Sequence, residues 1–194
     1  MAGLALLALA GCRDDAETDV PAAGAPVAPI TQPTPALTGP PDLRCLIAGS
    51  PWKVSKGDLE SQFKGVMRGV DITGVHITGD QTLTVSGDLR ATFVDKTTTK
   101  ITANMGQGLT MVMTQKHDGS SAGRWKAEGN KLTPDGAWEG GINTSTRVAI
   151  NGRSGGSPAN VPNKALGGVP LSYTCVDGVL NISAQGSPFV YLFR

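Results

Sequence analysis

Beyond Val70, apolar and polar residues alternate with a period of two along most of the chain. Leu83 and Val85, then Leu89, Ala91 and Phe93, fall two apart, with one break at Gly87-Asp88. Ile101, Ala103 and Met105 keep the phase, and Leu109, Met111 and Met113 repeat it. Val148 with Ile150, Leu171 with Tyr173, Leu180 with Ile182, and Val190 with Leu192 follow. Such alternation marks strands with one face buried. Turn-forming pairs separate the runs: Gly79-Asp80, Gly87-Asp88, Gly106-Gln107-Gly108, Asp118-Gly119, Gly129-Asn130, Asp135-Gly136, Asn151-Gly152 and Asp177-Gly178. Short strands joined by tight turns predict a mainly β fold, an antiparallel meander forming a barrel or half-barrel. One short N-terminal helix is expected before the strands. Asp58 would cap it, Leu59, Phe63, Val66 and Met67 recur at helical spacing, and Gly69 would stop it. Residues 153–170 are rich in Gly, Pro and Asn, show no period, and read as one long loop, either mobile or functional.

Composition agrees with strands. Hydrophobic residues make up 39% of the 194, enough for a core, whereas charged residues are only 17% and glycines number 26. The net charge of +1 conceals an asymmetry, since residues 13–42 carry −4 and residues 43–194 carry +5. The basic residues are scattered and aromatics are few. A nucleic-acid platform needs a concentrated basic stripe with stacking rings, so that class is set aside. Residues 13–42 hold seven of the thirteen prolines and no aromatic residue. Such a stretch buries too little apolar surface to offset its ordering entropy. It reads as a Pro/Ala-rich tether, reaching up to ~100 Å at about 3.1 Å per residue.

The N-terminus suggests an address. Leu4–Ala10 is an apolar run of seven residues, too short to span a bilayer and matched to the core of a signal peptide. The step Leu9-Ala10-Gly11-Cys12 resembles the bacterial lipobox. That resemblance implies a signal peptide over 1–11, lipidation of Cys12, a lipidated tether over 12–42 and a β domain over 43–194. The protein would then sit in the cell envelope, anchored to a membrane through its lipid and facing the periplasm or the cell exterior. Several acyl chains, at about 0.8 kcal/mol per buried CH₂, would hold it firmly. In that compartment the two remaining cysteines, Cys45 and Cys175, are expected to pair. Two free thiols are the alternative. A metal pair is weaker still, because neither has a neighbouring His or Cys.

Two hairpins share a shape. Gly123-Arg124-Trp125 runs on to Gly129 and Leu132, and Tyr173-Thr174-Cys175 runs on to Gly178, Leu180 and Ile182. This resembles bacterial lipocalin-like domains, which carry an aromatic strand, a Gly turn and a returning Leu. The resemblance implies an antiparallel calycin-type barrel with a cavity. It also implies that Arg194 closes the barrel base by stacking on Trp52 as a cation–π pair.

Catalysis finds little support. A hydrolase needs a nucleophile beside an oriented base. His76 lies in the strand-like run Val75-His76-Ile77 and reads as surface-facing, while His117 falls in the turn-like Gln115-Lys116-His117-Asp118-Gly119. Gly155-Gly156-Ser157-Pro158 lacks the rest of a nucleophile elbow. No catalytic residue, cofactor or metal is therefore assigned. Met111 and Met113 share a strand face, with Met105 nearby and His117 four residues on. Thioether sulfur with imidazole suits Cu(I), but methionine more often fills irregular cores, and packing is preferred here. The expected function is a membrane-anchored binding lipoprotein holding a small apolar ligand, with Phe93, Met105, Met111, Met113 and Trp125 as cavity walls. The alternatives are a solid-core protein that contacts an envelope component or inhibits an enzyme through the 153–170 loop, and Met-based copper binding.

Overall fold

The computed structural model describes residues 39–66, 70–163 and 165–194. Two helices and ten strands follow in order: α1 (Pro41–Ala48), β1 (Trp52–Lys53), α2 (Lys56–Val66), β2 (Asp71–Val85), β3 (Arg90–Asn104), β4 (Thr110–Glu128), β5 (Lys131–Pro134), β6 (Glu139–Ile150), β7 (Arg153–Asn163), β8 (Leu171–Val176), β9 (Val179–Ala184) and β10 (Val190–Phe193). A 3₁₀ turn, Ala165–Gly167, precedes β8. The fold is mainly β and antiparallel, as the alternation predicts.

The strands pair in the order β1-β2-β3-β4-β5-β8-β9-β10. The two ends of that row meet. Lys53 and Arg194 exchange backbone hydrogen bonds, both 2.9 Å, and Ser55 N donates to Leu192 O at 2.7 Å. The row thus curls into an eight-membered ring. β4 serves two sheets, because its Trp125–Glu128 end pairs with β5 while Met111–Ala122 pairs with β6. β6 then carries β7. The far halves of β2, β3 and β4 therefore continue past the ring as a five-stranded extension.

The alternation is cleanest in β3, where Ala91, Phe93, Asp95, Thr97, Thr99, Ile101 and Ala103 are all buried. Trp52, Phe93, Trp125, Tyr173 and Phe193 fill the ring, each no more than 2% exposed. Burying a large apolar side chain stabilises by roughly 1.5–3 kcal/mol. Trp125 and Trp138 pack with centroids 5.3 Å apart. α1 closes over the ring, with Leu46 fully buried and its carbonyl accepting the Trp52 indole N–H at 2.8 Å. The expected cystine is present, Cys45 to Cys175, joining α1 to β8.

Four expectations change. First, α1 was not anticipated. Pro41 and Asp42 belong to its first turn, and a proline there is favoured because the missing N–H would have no partner. The proline-rich spacer pattern masks this start signal. Second, α2 begins at Lys56, so Asp58 lies inside its first turn; Met67 and Gly69 lie outside the described residues. Third, residues 153–170 are not one loop. Residues 153–163 form β7, an edge strand, where prolines cost no ladder bond if their nitrogens face outward. Its register on β6 slips between Thr146 and Val148, and Pro158 falls in that irregularity. Fourth, Gly79-Asp80 and Asp118-Gly119 do not turn the chain. Gly79 and Gly119 have φ of +81° and +149°, and a Cβ on either would overlap a carbonyl of the neighbouring strand. They let β2 and β4 run through uninterrupted.

Arg194 closes the ring through its backbone rather than by stacking on Trp52. Its guanidinium Nη1 lies 3.0 Å from Ser55 Oγ, just before α2, and 3.2 Å from Asp58 Oδ2 in the first turn of the helix. The bond from Ser55 first, then that from Arg194, holds the Asp58 carboxyl below the usual carboxylate range.

Candidate functional site

A cavity of about 180 Å³ opens where the ring passes into the extension, beneath α2. α2 is held over it at both sides. Glu60 Oε1 accepts the Ile77 N–H at 2.6 Å, covering the β2 edge, and Gln62 both donates to Val190 O (2.8 Å) and accepts from Val190 N (2.7 Å). Leu59 and Phe63 face inward from the helix, and Phe63 packs on Phe189 at 4.8 Å between centroids. Phe93 and Tyr191 complete the apolar wall, 6.3 Å apart and edge to face.

Beside these rings the sheet also presents polar groups. They come from the inward phase of β3 and β4: Asp95, Thr97, Thr99, Gln115 and His117, with Gln81 from β2. Asp95 is only 4% exposed. A carboxylate so buried needs hydrogen bonds, and Asp95 has them. Oδ1 accepts from Thr97 N at 3.0 Å and Thr97 Oγ1 at 2.7 Å, and Oδ2 accepts from Gln81 Nε2 at 2.6 Å. His117 Nδ1 stands 3.9 Å from Oδ2 and 3.0 Å from Thr144 Oγ1. Carboxylate and hydroxyl thus meet the same ring nitrogen. An imidazole relays a proton only when its two partners hold different nitrogens, so this trio is not set up as a nucleophile, base and orienter. Burial first, and the Asp95 charge second, push the Tyr191 phenol above its ordinary value.

Of the walls expected from sequence, only Phe93 lines this cavity. Trp125 is buried in the ring against Trp138. Met111 and Met113 are half-buried far along β4, paired with Ala103 and Ile101, and Met105 is 52% exposed in the turn that follows β3. The structure does not bring the three methionines to the cavity. His76 is surface-facing, as expected, with its side chain 74% exposed. His117 is not in a turn but within β4, opposite Thr144. Asp95, Gln81, Gln115 and Tyr191 were not anticipated. One signal was available: Asp95 occupies the inward phase between Phe93 and Ile101, where a charge is exceptional.

No family model, curated protein or solved structure matches this chain.

Among the described residues, no group of three or more His, Cys, Asp or Glu side chains is placed to hold a metal ion. No described helix is long and apolar enough to cross a membrane.

Proposed function

We propose that the protein is an exported, membrane-anchored lipoprotein that binds a small molecule in the cavity beneath α2. The observation that carries this is the cavity itself, lined by aromatic and aliphatic side chains and built around a buried carboxylate. A few convergent polar groups in an otherwise apolar concavity are the usual form of a small-molecule site. The ligand is narrower than the wholly apolar one expected from sequence. Among the described residues the ring is filled by its own aromatic side chains, which leaves little room there for a long acyl chain. At about 180 Å³ the cavity is below the ~300–1,000 Å³ of typical sites and suits a head group or a compact molecule.

The address rests on the Leu9-Ala10-Gly11-Cys12 step and is supported by the Cys45–Cys175 bond, since structural cystines persist in oxidising compartments. Fatty-acid labelling of the protein in its host tests it. Label on the parent and none on Cys12→Ser is the expected result; an unlabelled parent would end the lipoprotein reading. The lipocalin-like resemblance is supported by the eight-membered ring alone.

Binding is tested with a small-fragment mixture followed by amide chemical shifts. Binders should move the amides of Gln81, Thr97 and Gln115, and Gln115→Trp, which puts bulk into the cavity, should remove the effect. If no fragment moves them, the filled ring favours the second reading: a solid-core protein that contacts an envelope component through residues 153–170.

A further inference from the structure

The cavity's charge balance is one-sided. Among the described residues, neither Lys nor Arg lines it, and Asp95 is its only acid. The nearest ionisable nitrogen, His117 Nδ1 at 3.9 Å, is beyond hydrogen-bond reach. An ionised carboxylate offers about four lone-pair sites. Three are taken, two on Oδ1 and one on Oδ2, which leaves Oδ2 able to accept once more. Gln81, whose side chain lines the same cavity, has an Oε1 that is buried without a hydrogen-bond partner. Leaving such a group unmade costs roughly 1–3 kcal/mol. Both vacancies call for a donor. The same cavity is lined by the rings of Phe63, Phe93, Phe189 and Tyr191, whose faces attract a cation through the ring quadrupole and which accept an apolar stem equally well.

We infer that the ligand, on the reading that this cavity is a binding site, is a small primary amine, bound as its ammonium with N–H donated to Asp95 Oδ2 and its short apolar stem against the aromatic rings. An anion would meet the Asp95 charge with no Lys or Arg among the described lining residues to offset it. A neutral alcohol could donate once but would leave the charge uncompensated. A tetraalkylammonium would satisfy the rings but bring no N–H.

The test is a titration of the ¹⁵N-labelled full chain at neutral pH and low salt with n-butylammonium, n-butanol and butyrate, which share a stem and differ in charge. The ammonium should move the Gln81 and Thr97 amides and bind at least about tenfold more tightly than the alcohol, with butyrate weakest. That is a gap of about 1.4 kcal/mol or more. Asp95→Asn, which keeps the shape and removes the charge, should close the gap. Equal binding of ammonium and alcohol, or preference for butyrate, would overturn the inference while leaving the cavity as a binding site. If no probe binds, the inference also falls; the uncharged members of the fragment mixture then decide separately whether the site reading survives. Should Asp95→Asn lose its amide dispersion, the three-probe comparison on the unaltered chain is sufficient to decide.

Discussion

Breaking the Cys45–Cys175 bond removes a cross-link between residues 130 apart in sequence. In the chain-entropy relation a 100-residue loop is worth about 4.7 kcal/mol at 25 °C, and this longer one about 5 kcal/mol. Domains of this kind hold only ~5–15 kcal/mol in total, so the loss is a third or more of the whole. The rest of the α1 contact survives: Leu46 stays buried and its carbonyl keeps the Trp52 indole. The double variant Cys45→Ala with Cys175→Ala should therefore fold but be much less stable. In urea denaturation followed by tryptophan fluorescence, with a slope of about 2 kcal/mol/M, its midpoint should fall by about 2.5 M. The parent protein in excess reductant should match it. A drop under ~0.5 M, equivalent to about 1 kcal/mol, would refute the reasoning. It would mean that the cystine does not hold the domain together, and the oxidising-compartment argument would lose its structural support.

Three further outcomes follow from packing and ionisation. Gly123→Ala should destabilise by ~1–3 kcal/mol in the same assay, because the new Cβ would overlap the Trp138 ring, whereas Gly57→Ala, with open space around its Cβ, should stabilise α2 by up to ~1 kcal/mol. Phe93→Ala should cost ~3–5 kcal/mol and Met105→Ala no more than ~0.5 kcal/mol, a contrast that checks which sequence-expected wall residue is truly in the core. Tyr173 and Tyr191 are the chain's two tyrosines, and burial raises both phenols above the ordinary 10.0. Tyrosinate absorbance of the folded protein should rise later in alkali than that of the denatured chain. The unfolded chain gives up those protons first, so their contribution to stability is intact below pH 10 and declines as pH climbs through the folded values. Coincident titrations of folded and denatured protein would contradict this.

The fold was legible where apolar residues carried the phase. Ala91, Phe93, Ile101 and Ala103 marked both ends of β3, and the turn pairs at Gly87, Gly106, Gly129, Gly136, Gly152 and Gly178 lie at the ends of strands. The pattern was silent where inward positions are polar. Asp95, Thr97 and Thr99 face the interior like their apolar neighbours, and hydropathy cannot tell such a residue from an exposed one. The site is made of those residues. It also depends on pairings that local sequence does not specify: β3 with β4 brings His117 toward Asp95, and the seam of β1 with β10 brings Tyr191 beside Phe93. Proline misled twice, once as a spacer at Pro41 and once as a loop marker in β7, because its meaning depends on whether its nitrogen needs a partner.

The central claim is that the space beneath α2 is where a ligand sits, and intermolecular NOEs test it most directly. With the tightest of the three four-carbon probes bound, cross-peaks should connect its methylene protons to the rings of Phe63, Phe93 and Tyr191, and vanish in Gln115→Trp. Cross-peaks to a different surface, or peaks that persist in Gln115→Trp, would contradict the account.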